Sequence, residues 1–434
     1  MYGLVDCNNF FVSCERLFNP SLEGRAVVVL SNNDGCVISR SNEAKKLGIP
    51  MGLPAFKIKE YTNPDNVTIL SCRHNVYRDI SDRIMTLLAS EVENLQIYSI
   101  DECFFKAPYD NDIQNQTFIS NLAKKVKTFI GIPVSIGLAP TRTLTKIASH
   151  IAKNNTNYEN VFLLTKPEQI NQILNSVPVS EVWGIGKRIA ESLKNFHIIT
   201  AHDFVNAPMS WIRTQFSITE ERIIRELKGE DCTKINAINE DNRSISSSRS
   251  FGSLIDNKKT LWEAIAYFTA SCAERLRAQD TSASTISVYI RGDIHCNNLP
   301  FYSNFCDIRL NTPSFDTAYL TQHALKAFNN IYRNGYKYKK AGVKVSNLIK
   351  STDIQLNIFE NVDLNKQKKL MNVLDNINNR CGKGSLILGA QGTEQKWLPK
   401  KDFNAKSSKT LRFYTGMSLP VFNSNTLNDT IDSD

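Results

Sequence analysis

The chain has 434 residues, of which 22% are charged and 41% hydrophobic, and a formal net charge of +9. This length suffices for roughly two to four globular domains, and the positive charge fits a polyanionic partner. No apolar run reaches the about 18 residues of a membrane-spanning helix, and no signal peptide precedes Asp6, so we expect a cytoplasmic protein with no membrane contact. Its ten scattered cysteines form no C-x-x-C pair and are expected to be buried, free thiols.

Three acidic residues lie at the ends of predicted strands. Asp6 ends the apolar run 2–5, and Asp101 and Glu102 follow the strand-like run 95–100 and precede another. If these strands pair, the three negative charges meet at a cost that divalent cations would remove. Oxygen-only ligands suit magnesium, and two such ions about 4 Å apart promote phosphoryl transfer. The pattern predicts a nucleotidyl-transfer site, and solvated turn formers are the alternative.

The first third of the chain alternates between strands and helices. Expected strands are 26–30, 36–39 and 134–138, and expected helices are 43–47, 79–95, 118–129 and 143–153. This alternation predicts one mixed sheet of split β-α-β layout, which carries Asp6 beside the Asp101–Glu102 hairpin.

A glycine-rich segment indicates nucleic-acid binding. Gly184 and Gly186 open a basic helix that begins with Lys187 and Arg188. Backbone N–H groups at such a helix start bind phosphate without reading sequence. A glycine-rich turn before any helix is the alternative. His197 stands where the second turn of a helix-hairpin-helix motif normally has glycine.

The chain from about 166 to 232 is helical and polar, and a second α+β unit begins at about 246–251. Its expected order is β-α-β-β-α-β, a ferredoxin-like arrangement, with helices at 261–279 and 318–331 and strands at 285–290, 306–310 and 341–346. A helix is expected around 366–379, and the end of the chain, 423–434, is polar and expected to be disordered.

Two basic sites in the second unit are ambiguous. The segment 332–340 interleaves bases with aromatic residues and could follow a phosphate backbone, or it could be a solvated turn before an edge strand protected by lysines. Arg249 lies in a serine-rich stretch expected to enter an edge strand, and it is similarly ambiguous between a phosphate contact and a solvated side chain.

Four cations are candidates for holding a triphosphate: Arg40, Lys45, Lys146 and Lys153. Most surface lysines hold no ligand, so each is weak alone.

The pentad 355–359 has spaced apolar anchors that suit docking into a groove on a partner, and a short strand is its alternative. Its aliphatic and aromatic anchors are Leu356, Ile358 and Phe359, and Gln355 precedes them.

Several motifs together resemble the Y-family translesion DNA polymerases, and within them the UmuC branch. The motifs are Asp-Cys-Asn-Asn-Phe-Phe at 6–11, Ser-Asn-Asn-Asp-Gly-Cys-Val-Ile-Ser-Arg at 31–40, Asn-Glu-Ala-Lys at 42–45, Tyr-Ser-Ile-Asp-Glu at 98–102 and Val-Trp-Gly-Ile-Gly at 182–186. They occur in order, and the match spans roughly residues 1–400.

The resemblance implies a multidomain α+β fold, the right-hand polymerase. It has a ferredoxin-like palm, small fingers, a helical thumb with a helix-hairpin-helix motif, and a β-α-β-β-α-β little finger. The implied boundaries are 1–20 and 78–165 for the palm, 21–77 for the fingers, 166–235 for the thumb, 243–350 for the little finger and 351–434 for a C-terminal partner-binding region.

The resemblance also implies roles for residues. The catalytic residues and ligands of two Mg²⁺ ions would be Asp6, Asp101 and Glu102, with the backbone carbonyl of Cys7. Phe11 falls on the steric gate that would clash with a ribose 2′-OH. Further implied contacts are to the dNTP (Ser39, Lys45, Lys153), to DNA (Gly184, Gly186, Lys187, Arg188, Arg249) and to a sliding clamp (Gln355, Leu356, Ile358, Phe359).

The implied activity is error-prone, template-directed DNA synthesis across lesions in the SOS response, with no room left in the chain for a proofreading exonuclease. Small finger residues such as Gly35 and Ser39 would enclose the nascent base pair loosely. The implied partners are primed and damaged DNA, dNTPs, a UmuD-like accessory dimer, a RecA filament and a sliding clamp. A nucleotide cyclase with a related palm and a non-catalytic DNA-binding module are the rival functions.

Overall fold

The computed structural model describes residues 1–232, 241–296, 299–355, 363–398, 400 and 402–403. The chain divides into two compact units. The first comprises Met1–Leu30, Cys36–Asn239 and Phe403–Asp434, and the second comprises Ser31–Gly35 and Glu240–Asp402. Across the described residues, no helix is both long and apolar enough to cross a bilayer.

The first unit is built from short strands and helices in alternation. Its strands are β1 (Tyr2–Cys7), β2 (Ala26–Leu30), β3 (Val37–Arg40), β4 (Val67–Ser71), β5 (Gln96–Ile97), β6 (Glu102–Lys106), β7 (Val134–Ala139) and β8 (Val161–Leu163). Its helices are α1 (Phe10–Phe18), α2 (Asn42–Lys46), α3 (His74–Ala89), α4 (Asp112–Ile130), α5 (Arg142–Asn154), α6 (Pro167–Ser176), α7 (Lys187–Asn195), α8 (Ala201–Asn206), α9 (Met209–Gln215) and α10 (Ile218–Leu227).

The larger sheet of this unit places β1 at its centre, in the order β5-β6-β1-β7-β8. Strand β1 runs antiparallel to both β6 and β7, while β7 and β8 are parallel. Because successive side chains of a strand point to opposite faces, Val5 and Cys7 enter the core that α3 and α4 also enter, while Leu4 and Asp6 occupy the other face, where α5 packs. A mixed sheet that carries Asp6 beside the turn of Asp101 and Glu102 is confirmed, and its pairing puts Asp6 on the α5 side. The prediction of a single sheet is wrong, because the strands expected at 26–30 and 36–39 form a second sheet.

Helix α5 lies against β7 at a point where only glycine fits. A Cβ atom added at Gly137 would lie 2.2 Å from the backbone nitrogen of Ser149 and 2.7 Å from the carbonyl carbon of Ala148. These are main-chain atoms of α5, which cannot rotate away as a flexible side chain could. The glycine therefore fixes how close α5, and every side chain it carries, lies to the sheet.

We expect Gly137→Ala to destabilise the first unit by roughly 3 kcal/mol, because the added methyl group must push a helix backbone off the sheet. Chemical denaturation followed by circular dichroism measures the change. The matched control is Gly389→Ala, where an added Cβ meets nothing within 4 Å. Equal stability of the two variants would contradict the close packing.

A second, three-stranded sheet has the order β3-β2-β4. Strand β2 is buried along its whole length, as its run of Val and Leu predicts, and pairs antiparallel with β3. Strand β4 pairs parallel with β2, a pairing that the sequence did not reveal. The helices α6 to α10 share with α5 a hydrophobic cluster that is separate from the core containing Val5 and Cys7.

The second unit contains β9 (Ser244–Ile255), α11 (Lys258–Ala278), β10 (Thr281–Arg291), β11 (Ser303–Ser314), α12 (Thr317–Ile331), β12 (Tyr338–Lys350) and α13 (Leu364–Cys381). The first six follow the order β-α-β-β-α-β and confirm that prediction. Their sheet has the order β11-β10-β12-β9. Strand β9 is at an edge, as expected for the serine-rich stretch. Strand β12 is interior, so the edge-strand alternative for 332–340 is wrong.

The helix predicted at 79–95 differs in the structure. Helix α3 spans His74–Ala89, and the chain then turns, with Asn94 in the left-handed region at φ 54°. Val92 and Leu95 continue the helical spacing of apolar residues, which explains the error, but they pack from the turn. The strand expected over 95–100 is limited to the two residues of β5, because the chain bends at 99–101 before β6 begins.

The cysteines only partly follow the prediction. No disulfide is present in the described part of the chain, which includes all ten. Five are buried (Cys7, Cys14, Cys72, Cys103, Cys272), while Cys381 is exposed and the other four are intermediate. Cys7 and Cys103 flank acidic residues on β1 and β6, and burial raises the pKa of both thiols above the ordinary value.

Candidate active site

Two acidic side chains face each other across the β1–β6 pair. Asp6 and Glu102 are direct antiparallel partners and therefore project from the same face of the sheet. Like charges directly opposite each other destabilise a strand pair. The fold retains both, so their charge must be offset by cations.

Helix α5 supplies those cations. The ammonium group of Lys153 lies 2.7 Å from Asp6 Oδ1, and that of Lys146 lies 2.6 Å from Glu102 Oε1. The lysines are seven residues apart, about two helical turns, and thus share one face of α5. All four side chains are partly shielded from water, where paired charges are retained and single ones are costly.

Asp101 lies in the tight turn just before β6. Its Oδ1 accepts a hydrogen bond of 2.6 Å from the Ser99 hydroxyl, which lies 3.4 Å from Glu102 Oε2. The Asp101 carbonyl accepts the Cys7 N–H at 2.9 Å. Ser99 thus orients the Asp101 carboxylate, and the last residue of β1 anchors the turn to the sheet.

The carboxylate oxygens of these residues are suitable donors for divalent cations, but the side chains are not arranged as a complete metal site in the described structure. In the described ranges, no group of three or more His, Cys, Asp or Glu side chains is clustered as a metal site would require. The oxygens of Asp6 and Glu102 instead face ammonium groups. Carboxylate oxygens are what Mg²⁺ prefers, and a strand pair that already requires two external positive charges can accept them from metal ions.

Lys146 is enclosed by aromatic rings. Its Nζ lies 4.8 Å from the ring centroid of Tyr98, 5.8 Å from that of Trp183 and 5.9 Å from that of Phe104. The Trp183 indole N–H donates to the Tyr98 hydroxyl at 3.2 Å. The glycines around Trp183 indicated a binding segment, whereas no sequence pattern pointed to the Trp183 ring itself. Cation–π contacts of this kind favour a charged amine in place and fix Lys146 beside Glu102.

We expect Lys146→Gln to lower the stability of the metal-free chain by about 2 kcal/mol, because Glu102 then faces Asp6 without its counterion. Added Mg²⁺ should recover most of this loss by taking over the missing charge. Thermal melts in EDTA and in MgCl2 measure both effects. The exposed Lys187→Gln is the control. An equal loss in both buffers would mean that Lys146 acts only through packing.

The Phe11 ring lies on a fixed platform. It stacks on Tyr77 with ring centroids 4.5 Å apart and an interplanar angle of 16°. The Tyr77 hydroxyl donates to Glu15 Oε1 at 2.6 Å, and the Arg73 guanidinium also binds both oxygens of that buried carboxylate. Burial and the neighbouring Glu15 charge raise the pKa of Tyr77, so its hydroxyl keeps the proton that it donates. Phe11 is only partly buried, at the start of α1.

Three of the predicted triphosphate contacts, Lys45, Lys146 and Lys153, share a cleft with Asp6. A cavity of about 390 Å³ is lined by residues that include Asp6, Lys45, Lys146, Lys153 and Trp183. The pKa of Lys45 is lowered by burial and then by the like charges of Lys153 and Arg40. Positive charges therefore lie close together around Lys45, as a polyphosphate site requires.

The other two candidates serve the scaffold in this conformation. Ser39 is buried, and its hydroxyl accepts the Val12 N–H at 3.4 Å. One guanidinium nitrogen of Arg40 donates to the Ile49 carbonyl. Neither lines the cleft described above.

The glycine-rich segment does open a helix. Gly186 is the N-cap of α7, and Gly184 has φ 95°, which an L side chain rarely adopts. Lys187 is 91% exposed and Arg188 is exposed. His197, the departure from the expected glycine, has φ 61°, so it holds the left-handed turn without glycine.

The remaining candidates lie in the second unit. Arg249, on β9, is partly buried, with its guanidinium carbon 5.7 Å from the Tyr267 ring centroid and 5.8 Å from that of Trp397. Gln355 is the last described residue before a gap, and the predicted anchors Leu356, Ile358 and Phe359 lie outside the described residues.

Family models match four parts of the chain. The impB/mucB/samB family matches residues 5–150, and the C-terminal domain of that family matches residues 242–358. An IMS-family HHH motif matches residues 167–198, and a domain of unknown function matches residues 368–410.

Similar proteins cover nearly the whole chain. Protein UmuC of Salmonella typhimurium (strain LT2) is 36% identical over 408 residues, which are 93% of this chain and 96% of that protein. Protein ImpB of Salmonella typhimurium is 35% identical over 406 residues, with the same coverage. DNA polymerase IV of Desulfatibacillum aliphaticivorans is 24% identical over 402 residues, 90% of this chain and 96% of that protein.

Solved structures show the same fold. A Y-family DNA polymerase chimera, Dbh-Dpo4(243-245)-Dbh, superposes with a TM-score of 0.63 and 20% identity. An insertion ternary complex of Dbh DNA polymerase superposes with a TM-score of 0.55 and 19% identity. Each alignment covers 80% of this chain and 99% of the other.

Proposed function

The chain belongs to the impB/mucB/samB family, the UmuC branch of the Y-family translesion DNA polymerases, and on that premise we propose that Asp6, Asp101 and Glu102 are its catalytic residues. It is a DNA-directed DNA polymerase of the error-prone, translesion class. We propose that it works in the SOS response, without proofreading, and with two Mg²⁺ ions as the form of its divalent cofactor.

The observation that carries this proposal is the arrangement of charges on the α5 side of the sheet. Asp6 and Glu102 are paired across two strands, and two lysines of one helix face them at 2.7 and 2.6 Å. A polymerase needs both signs of charge at one place, carboxylates to hold cations and ammonium groups to hold a triphosphate. Here one strand pair and one helix face supply them.

The residues divide the work of nucleotidyl transfer. Asp6 and Asp101 would hold both metal ions, with the Cys7 carbonyl as a further oxygen ligand, and Glu102 would hold the ion on the primer side. Bound Mg²⁺ ions would acidify the primer 3′-hydroxyl and neutralise the charge that develops on the phosphates. Lys153 and Lys45 bind oxygens of the triphosphate, so Lys153 exchanges a carboxylate partner for a phosphate one.

The steric gate and Ser39 shape the nucleotide site. The Phe11 ring would meet the 2′-OH of a ribonucleotide, and its stacking on Tyr77 prevents it from yielding. Ser39, whose hydroxyl accepts the N–H of Val12 in α1, would contact the incoming dNTP. Because its side chain is small, it would leave the nascent base pair loosely enclosed.

DNA would be held outside the cleft. The first turn of α7, with Gly184, Gly186, Lys187 and Arg188, offers backbone N–H groups and two cations to a phosphate. Arg249 would contact DNA from the second unit. We propose that the palm comprises residues 1–20 and 78–165, the fingers 21–77, the thumb 166–235 and the little finger 243–350.

We also propose partners for the chain. These are a sliding clamp that binds Gln355, Leu356, Ile358 and Phe359, a UmuD-like accessory dimer, and a RecA filament. A cytoplasmic location fits these partners. Primed and damaged DNA and dNTPs are the substrates.

Metal-dependent extension of a primer across a template abasic site tests the function. The full chain should extend the primer with MgCl2 and dNTPs, with or without accessory partners, and should stop in EDTA. Incorporation without a template would favour the rival cyclase. DNA binding without incorporation under any of these conditions would leave only a binding module.

A further inference from the structure

Helix α13 exposes an apolar stripe that nothing in its own packing uses. Leu370, Val373 and Ile377 are 60%, 54% and 36% exposed. Their spacings of three and four residues place them in one line along the helix. Single exposed apolar residues are ordinary, but three in line on one helix mark an interaction surface. We call these three residues the α13 stripe.

The opposite face of α13 is firmly attached to the second unit. Met371 is 2% exposed, and its sulfur accepts the Thr317 N–H at 3.5 Å. Asp375 receives two hydrogen bonds, of 2.6 and 2.7 Å, from the Arg277 guanidinium. Arg277, at 9% side-chain exposure, also donates to the Phe315 carbonyl at 3.0 Å. The helix is thus held with its stripe outward, so a partner need not order it first.

Cations border both ends of the α13 stripe. Lys366 lies one turn before Leu370, and Arg380 lies three residues after Ile377, so both continue its line. Lys369 flanks the line as well. The sole acidic residue of α13, Asp375, faces Arg277 on the attached side. The outward face therefore combines an apolar centre with positive ends.

This charge pattern distinguishes between three possible partners of the α13 stripe: a second copy of α13, a bilayer and a helix of another protein. Two copies of α13 packed antiparallel would set Lys366 against Arg380, and a parallel pair would set each cation against itself. Both arrangements bring like charges together, which disfavours self-association. A bilayer prefers a wide apolar face with large aromatic residues, whereas the α13 stripe is one residue wide and wholly aliphatic. Spacing by threes and fours is that of a helix-pairing seam.

We propose that α13 is a docking helix for an acidic amphipathic helix of a partner protein. The partner's apolar residues would pack on the α13 stripe, and its carboxylates would face Lys366, Lys369 and Arg380. The proposal gives a surface and a partner chemistry to the partner-binding role proposed for the C-terminal region, on which it rests. It does not depend on polymerase activity.

The test measures binding of a synthetic peptide to the full chain by fluorescence anisotropy. The peptide has three heptads, with Leu at positions a and d and Glu at e and g, so that it does not associate with itself. Its matched control has Lys in place of every Glu. The expected result is at least about tenfold tighter binding of the acidic peptide.

Two variants locate the site. Leu370→Ser with Val373→Ser should weaken acidic-peptide binding by about thirtyfold through the lost apolar contact. Lys366→Glu with Arg380→Glu should weaken it by about tenfold and strengthen binding of the basic control peptide. Both variants should keep wild-type primer extension, which separates failure of this proposal from failure of the proposed function.

Several outcomes would overturn the proposal. They are equal affinity for the two peptides, binding that the variants leave unchanged, and no binding at about 100 µM peptide. Dimers in sedimentation that the Ser variant abolishes would assign the stripe to a second copy instead. Stripe-dependent sedimentation with vesicles of phosphatidylcholine and phosphatidylglycerol would assign it to a membrane surface.

Discussion

Asp101→Asn is expected to reduce kcat for primer extension by about a thousandfold, an increase in the activation free energy of about 4 kcal/mol. The substitution keeps size and shape, so the Ser99 hydroxyl still has an oxygen to bind. It removes the negative charge that a divalent cation requires. Single-turnover extension of a primed template, with saturating dNTP and MgCl2, measures the chemical step.

The matched control is Asp110→Asn, an exposed aspartate in the loop before α4. It should extend primers at the wild-type rate. DNA binding by both variants, followed by anisotropy of a labelled primer–template, should equal that of the wild type. A rate within about tenfold of wild type for Asp101→Asn would remove this residue from the metal site.

Phe11→Ala should raise the incorporation of ribonucleotides relative to deoxyribonucleotides by about a hundredfold, because the ring that would meet the 2′-OH is gone. The change should appear in kcat/KM for the ribonucleotide while that for the deoxyribonucleotide changes little. Both values come from single-nucleotide insertion opposite an undamaged template base.

Phe11→Leu is the control for this prediction. It keeps most of the bulk above Tyr77 and should keep most of the discrimination. Unchanged sugar selectivity in both variants would mean that Phe11 serves only to pack on Tyr77 and that another side chain contacts the sugar.

The strand-end positions of the acidic residues could be predicted from sequence because their signals are local. Asp6 ends one apolar run and Glu102 starts another, whereas the pairing of β1 with β6 joins distant segments and was expected only from the alternation of strands and helices. The order β-α-β-β-α-β was equally accessible, since each element of the second unit shows its own periodicity. Helix boundaries were harder to predict from sequence. The apolar spacing through Val92 and Leu95 continues past the point where α3 ends.

The parts that sequence did not reveal depend on contacts between distant segments. Lys146 was only one of four candidate phosphate ligands until the fold placed it against Glu102 and beneath Trp183, 37 residues later in the chain. Tyr77 had no signal at all, because its role comes from Phe11 and Glu15, which lie far from it in sequence. Gly137 likewise could not be singled out from sequence, because the need for glycine there comes from the close contact between α5 and β7.

The buried thiols beside the acidic residues have a consequence for chemical damage. Peroxide oxidises thiolates, and a thiol whose pKa burial has raised stays protonated and unreactive. Cys7 and Cys103 are both 2% exposed or less, whereas Cys381 at the end of α13 is exposed. Oxidants therefore reach Cys381 first. The two strands that carry Asp6 and Glu102 keep their thiols reduced under the same stress that creates lesions in DNA.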